Sequence, residues 1–345
     1  MFFNFLSVKK IVSALIKYGI PVLVSVGLAW FLYKNVDLQA IRTSLRQDVS
    51  YGWFIPVIIV SVLSHVFRGL RWRMQLRAIG VNAPLMPIIN SVFGTYFVNL
   101  LFPRLGEVWR AGYVARRQNA PFAAVLGSLV GDRLSDTVAV AVLTLISFLL
   151  SREAFVKFFD QNNSGSNLGG WMLAGLIAAT VAGVALLVWL YRTKSQNRII
   201  ASLRNTVTNL WDGLASIARM KGKWTFLLYT ALIWGCYYLQ LYLAAKAFTF
   251  TENLDAIAIL VLFVLSSIGM AVPSNGGLGP WQFAIIFGLA IYGVGTFPPT
   301  TPYHPQASAF AWLVWGVQQL LIIALGIWAF ACITLEKRQT GNNNT

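Results

Sequence analysis

Six stretches of this chain are apolar over the length a helix needs to cross a bilayer: residues 11–33, 52–70, 121–150, 170–191, 224–248 and 306–334. A spanning helix takes about 20 such residues. Backbone polar groups in hydrocarbon must be satisfied within the segment or within a closed barrel, and runs this long suit only the helix. The pattern therefore predicts an all-α, polytopic integral membrane protein with about six spanning helices. Composition agrees, with 57% hydrophobic and 11% charged residues, where a soluble domain carries about 25% charged. The 13 Trp, 12 Tyr and 23 Phe suit interface belts and lipid-facing surfaces. A net charge of +16 would suit nucleic acid in a soluble protein. Here the basic residues flank apolar runs, where they set orientation and meet anionic inner-leaflet lipids, so nucleic acid is not expected as a partner.

Two further apolar stretches do not fit the spanning pattern. Residues 85–102 are short and end in Pro-Arg-Leu-Gly-Glu, and residues 256–294 are broken at Pro273–Pro280. Positive charge arbitrates both. The linker 192–223 carries seven Lys/Arg and belongs inside. Working outward from it, the basic segments 71–84 and 104–120 fall inside as well, and the loops 151–169, 249–255 and 295–305 fall outside. Each odd stretch then starts and ends on one side, giving two opposed re-entrant hairpins, 85–120 and 256–294. The N- and C-termini are expected to be cytoplasmic, in a plasma membrane of bacterial inner-membrane type. Lys9 and Lys10 precede an apolar run with no small-residue cleavage site, so the first helix is read as retained. The whole chain, 1–345, reads as one transmembrane domain. Its first half, 1–150, and second half, 170–334, share the order span, span, hairpin, span with opposite starting sides. That is an inverted-topology repeat, resting on topology alone. Between the halves, residues 196–222 place Ile200, Leu203, Val207, Leu210 and Leu214 at helical spacing, as in an amphipathic helix on the inner leaflet.

Three constellations carry candidate chemistry. At the first break, Pro103 and Gly106 interrupt the helix, and Arg104, Glu107 and Arg110 stand where they pair with one another or meet a phosphate. The plainer alternative is a positive-inside loop. Asp132 and Asp136 lie four apart on one helix face, with Arg133 beside them, inside an apolar run. Ionisable groups there cost about 2.5–3.5 kcal/mol each on insertion scales and usually face a bundle interior or cavity. The alternative is a structural clamp between one of these acids and an arginine of the 104–117 loop. At the second break, Pro273, Gly276, Gly277 and Gly279 permit a tight turn ahead of a half-helix that carries Gln282, and backbone donors at such an N-terminus suit an anion. The cluster 67–73 reads mainly as a positive-inside anchor, with Arg68 deep enough to face the cavity. Cys236 and Cys332 sit alone in apolar runs, and His65 and His304 are isolated. No metal site, cofactor site or nucleophile–base set is expected, and an enzyme is the less favoured class.

The stretches "NLLFPRLGEVWRAGYVARR", "GDRLSD" and "PSNGGLGPWQFAIIFGLAIYGV" resemble the flippase-like transmembrane region of lysylphosphatidylglycerol synthases and its standalone relatives. The resemblance runs from about residue 11 to residue 335. The family's Pro-x-x-x-Gly-Glu-x-x-Arg stretch is matched by Pro103, Gly106, Glu107 and Arg110, its Glu-Arg-x-x-Asp by Asp132, Arg133 and Asp136, and its Pro-x-x-Gly-Gly-x-Gly turn by Pro273, Gly276, Gly277 and Gly279. Asp132 replaces a Glu, and Gln282 stands where the family usually has one. The resemblance implies movement of a phospholipid or lipid-linked headgroup between leaflets, at a site holding Arg104, Gly106, Glu107, Arg110, Asp132, Arg133, Asp136, Pro273, Gly276, Gly277, Gly279 and Gln282. No aminoacyl-transferase domain is expected, so synthase activity is not carried over. The other classes are an accessory or scaffold subunit of a lipid- or glycan-modifying system and an intramembrane lipid-modifying enzyme.

Overall fold

The computed structural model describes residues 38–102, 105–162, 222–272, 274–295 and 305–342, with a few isolated positions besides. The expected spans 11–33 and 170–191 and the amphipathic helix 196–222 lie essentially outside the described residues. Those described are helical, and their one β-like pairing is an isolated antiparallel bridge between Val49 and Phe248. The helices are α1 (Leu38–Gln47), α2 (Phe54–Ala78), α3 (Leu85–Leu101), α4 (Gly106–Arg117), α5 (Phe122–Asn162), α6 (Lys223–Lys246), α7 (Ala256–Ala271), α8 (Pro280–Ile291) and α9 (Pro305–Asn342). A 3-10 turn, Tyr51–Trp53, leads into α2. Among these, the helices through α2, α5, α6 and α9 are long and apolar enough to cross a membrane, and α3, α7 and α8 are shorter apolar helices.

Two elements differ from the expected boundaries. Helix α5 runs on to Asn162, through the first part of the stretch read as loop 151–169. The reason is packing: Phe158 is buried with Ala290 and Ile291 at the end of α8, so the extra turns have apolar surface to cover. The stretch after Pro103, read as a basic loop, is largely the helix α4. Its Ala111, Val114 and Ala115 are buried, so one face of this arginine-rich segment belongs to the core.

The core is divided. One cluster gathers Phe54 and Val57 of α2, Leu241 and Phe248 at the end of α6, Leu262 of α7, Leu289 of α8 and Phe310 of α9. A second gathers Trp72 and Leu76 at the other end of α2 with Ile88 of α3, Val114 of α4 and Leu129 of α5. Segments distant in the chain meet at each end. At the first cluster's end, Ser50 N–H donates to Ala247 O and Thr249 N–H to Asp48 O. At the other end, Arg117 pairs with Glu336 at 2.7 Å, and Gly222 approaches Met74 so closely that a Cβ would lie 3.3 Å from the methionine methyl.

The short helices form two pairs, α3 with α4 and α7 with α8. Close approach in the first requires glycine: a Cβ on Gly106 would stand 2.2 Å from the carbonyl oxygen of Thr95. In the second pair, Gly276, Gly277 and Gly279 all adopt positive φ, at 58°, 79° and 91°, as the sharp turn demands. The two breaks meet. A Cβ on Gly276 would lie 3.0 Å from Leu100, in the last turn of α3, and 2.8 Å from Gln319 of α9. Gly276 lines one cavity together with Arg68, Arg133 and Asp136, which brings charged groups next to this meeting point.

A candidate lipid-headgroup site

Helix α2 supplies the frame. Arg68 and Arg71 lie three apart, and Asp132 and Asp136 of α5 lie four apart, so each pair presents to the other helix on one face. Arg71 is wholly buried. Its Nε donates to Asp132 Oδ1 at 2.9 Å, its Nη2 to Asp136 Oδ1 at 2.7 Å and its Nη1 to the Thr230 hydroxyl at 3.2 Å. Arg68 Nη1 lies 2.6 Å from Asp136 Oδ2 and 3.5 Å from Asp132 Oδ2, and its Nη2 donates to the Tyr237 hydroxyl at 3.2 Å. A clamp on these acids, weighed above as an alternative with an arginine of the 104–117 loop, is made instead by α2. Arg71, read as an interfacial anchor, is its most enclosed member: its side chain has 0% exposure. The spacing Arg68–Arg71 opposite Asp132–Asp136 was the available signal, and positive-inside reasoning hid it.

The remaining charges arrange themselves around this frame. Arg133 pairs with Glu107 of α4 and lies 3.7 Å from Asp136. Its side chain is 40% exposed, the most accessible of the four central arginines. Asn99 of α3 fixes Glu107 by donating to Oε2 at 3.2 Å, while its own oxygen accepts the Gly106 N–H at 2.7 Å. The break between α3 and α4 is thus tied to the carboxylate that holds Arg133. Arg110 takes a different course. It is buried and stacks on the Trp72 ring at 3.8 Å, with Nε and Nη2 lacking hydrogen-bond partners. Among the described residues, four arginines (68, 71, 110, 133) face three carboxylates (107, 132, 136), leaving this group one positive charge in excess.

A cavity of about 520 Å³ opens beside the cluster. Arg68, Arg133 and Asp136 form one wall, and Trp234, Trp281 and Trp315 contribute aromatic surface. Gly276, from the second break, reaches the same cavity. The glycine turn meets it with a carbonyl as well as with space: Gly276 O accepts from Trp315 Nε1 at 2.8 Å and from Gln319 Nε2 at 3.2 Å. Three of the backbone donors around the turn are already engaged. Leu278 N–H donates to Asn275 O, Trp281 N–H to Gly277 O and Gly279 N–H to the Gln282 side chain at 2.7 Å. Gln282, wholly buried, caps α8 and is not part of the cavity wall. Asp132, Glu107, Gly106 and Arg110 likewise stand behind the wall, while Arg104 and Pro273 lie outside the described residues. His65, Tyr96, Tyr237, Gln318 and Gln319 line the cavity. They sit in apolar runs where a single polar group gives no periodic signal. Among the described residues, no three His, Cys, Asp or Glu side chains are grouped to hold a metal ion.

The two breaks and the acidic half of the frame fall on the three sequence motifs singled out above, with Arg68 and Arg71 added by α2, and comparison with known proteins bears on the same stretches. A family model described as the lysylphosphatidylglycerol synthase TM region matches residues 19–326. The chain belongs to this family. Within reach of the same comparison is a UPF0104 membrane protein of Pyrococcus horikoshii, 24% identical over 264 residues, a match covering 70% of this chain and 77% of that one. A UPF0104 membrane protein of Methanocaldococcus jannaschii is 26% identical over 121 residues, 34% of this chain and 35% of its own. The glycosyltransferase AglD of Haloferax volcanii is 33% identical over 101 residues, 29% of this chain and 16% of its own. No solved structure gives a significant match. Membership makes the chain a multi-pass membrane protein of the synthase-region family, and the four long apolar helices agree with that.

Proposed function

We propose that this protein moves a phospholipid or lipid-linked headgroup between leaflets, with the lipid phosphate held by cavity arginines. The carrying observation is the cavity itself. It sits where two broken helix pairs meet, and it is walled by Arg68 and the partly exposed Arg133 of a cluster with one excess positive charge. A phosphate supplies the missing negative charge, and arginine is the side chain best matched to it. On this reading the pairs α3–α4 and α7–α8 are re-entrant hairpins entering from opposite faces, the halves form an inverted repeat, and both termini are cytoplasmic in a plasma membrane. The grouping of like-sided segments at each end supports that topology. The mouth supports lipid entry: Thr137 and Met270 on its rim are exposed, and along α5 so are Val138, Val142 and Leu145, a face suited to hydrocarbon.

A second reading, an accessory or enzymatic part in glycan modification, draws on the name of AglD, whose match spans 16% of that protein. One experiment separates the two. Lipids retained through gentle purification are identified by mass spectrometry for the wild type and for Arg133→Gln combined with Glu107→Gln. The pair is removed together so that net charge is unchanged. Transport predicts a specific phosphate-bearing lipid in the wild type that the variant loses. The same bulk lipids in both would refute a phosphate site and leave the accessory reading.

A further inference from the structure

Arg68 starts a chain of hydroxyls. Its Nη2 donates to the Tyr237 hydroxyl of α6 at 3.2 Å, and that oxygen lies 3.4 Å from the Tyr96 hydroxyl of α3. All three residues line the cavity, and both tyrosines are only partly buried. The chain has a proton to spare. Each phenol carries one O–H donor, and Tyr237 already accepts from Arg68. If Tyr96 donates to Tyr237, the Tyr237 proton has no acceptor. If Tyr237 donates to Tyr96, the Tyr96 proton has none. Either way, one O–H is left over among the described residues. Asp136, the one acid in the wall, does not take it, because its Oδ1 is on Arg71 and its Oδ2 on Arg68.

Arg133 is the second free donor in the wall. Only its Nη2 is hydrogen-bonded, to Glu107, and its Nη1, 3.7 Å from Asp136, is beyond hydrogen-bond reach. Arg68 is placed differently. Its side chain is 3% exposed, with Nη1 on Asp136 and Nη2 on Tyr237. Its charge is felt through the chain, because a hydroxyl that accepts from a cation is polarised into a better donor.

Building on the phosphate reading above, we infer that the phosphate is gripped at two points, by Arg133 and by the spare O–H of the Tyr96–Tyr237 pair, with Arg68 a positioning residue behind Tyr237. The ligand class is an oxyanion with at least two acceptor oxygens on one centre, as a phosphate ester or free phosphate has.

The test uses the purified full chain in detergent, titrated calorimetrically with dioctanoyl phosphatidylglycerol and, separately, with inorganic phosphate. Tyr96→Phe combined with Tyr237→Phe is expected to weaken lipid binding about tenfold. Tyr96→Phe alone leaves Tyr237 free to donate its own proton and is expected to cost about threefold or less. In protein labelled with carbon-13 at tyrosine Cζ, the two resonances are assigned by their loss in the single Phe variants. Both probes are expected to shift at least one of them. Affinity lost in the double variant with neither resonance shifted in the wild type would make the tyrosines structural and overturn the inference. Unchanged affinity in the double variant, with Arg133→Gln still weakening it, would overturn the hydroxyl contact and leave the phosphate site standing. Tyrosine-dependent binding of inorganic phosphate with none of the lipid would keep the contact and overturn the lipid reading alone. No binding of either probe by the wild type would overturn both.

Discussion

Replacing Arg71 by methionine isolates the frame from the cavity, because Arg71 is fully buried and does not line the cavity wall. The substitution keeps much of the side-chain volume and removes contacts to two carboxylates, Asp132 at 2.8 Å and Asp136 at 2.7 Å, and to Thr230. Asp136 keeps Arg68 at 2.6 Å, but Asp132 is left with Arg68 at 3.5 Å as its nearest remaining cation. A buried charge stripped of its partner typically costs about 3–5 kcal/mol, and that is the expected loss of unfolding free energy. Most of it comes from the stranded carboxylate, not from the lost attraction. The double variant Arg71→Met with Asp132→Asn is therefore expected to recover at least about 2 kcal/mol of the loss. Reversible unfolding in mixed micelles, followed by tryptophan fluorescence, measures Arg71→Met, Asp132→Asn and the double variant against the wild type. A single-variant loss below about 1 kcal/mol, or additive losses in the pair, would refute the picture of a mutually dependent buried frame.

Other consequences are open to direct measurement. Gly106→Ala drives a Cβ onto the Thr95 carbonyl and Asn99, so unfolding experiments are expected to show a loss of about 1–3 kcal/mol. Removing the Gln282 cap with Gln282→Met strands the buried Gly279 N–H and is expected to cost about 1–3 kcal/mol, with lipid retention unaltered because Gln282 is not in the wall. In a background with Cys236 and Cys332 replaced by alanine, a single cysteine at Glu252 is expected to react with impermeant maleimide in intact cells, and one at Gln118 only after the cells are opened. Labelling of both from outside would contradict the first hairpin. Neutralising Arg133 with Glu107 is expected to change unfolding free energy by no more than about 1 kcal/mol, since the pair is partly exposed, while lipid retention is lost.

The sequence was sufficient for the fold class, because the bilayer imposes a length and a polarity that a one-dimensional pattern records directly. It also located both breaks, since Gly106 and the Pro273–Pro280 stretch stand out against apolar runs. The contact of Arg117 with Glu336 joins two segments that charge alone had assigned to one side. Helix ends were less legible, because the continuation of α5 to Asn162 depends on Phe158 finding Ala290 and Ile291, which are far away in the chain. Partnership was not legible at all. Arg71, Arg73 and Arg77 look alike as positive-inside residues, yet Arg71 alone of the three is buried against Asp132 and Asp136. Asp132 and Asp136 announced that some cation must meet them, because charge in hydrocarbon is costly. Which cation did so was decided by how α2 and α5 cross, and that is a property of tertiary packing, as is the cavity that the crossing leaves beside Arg133.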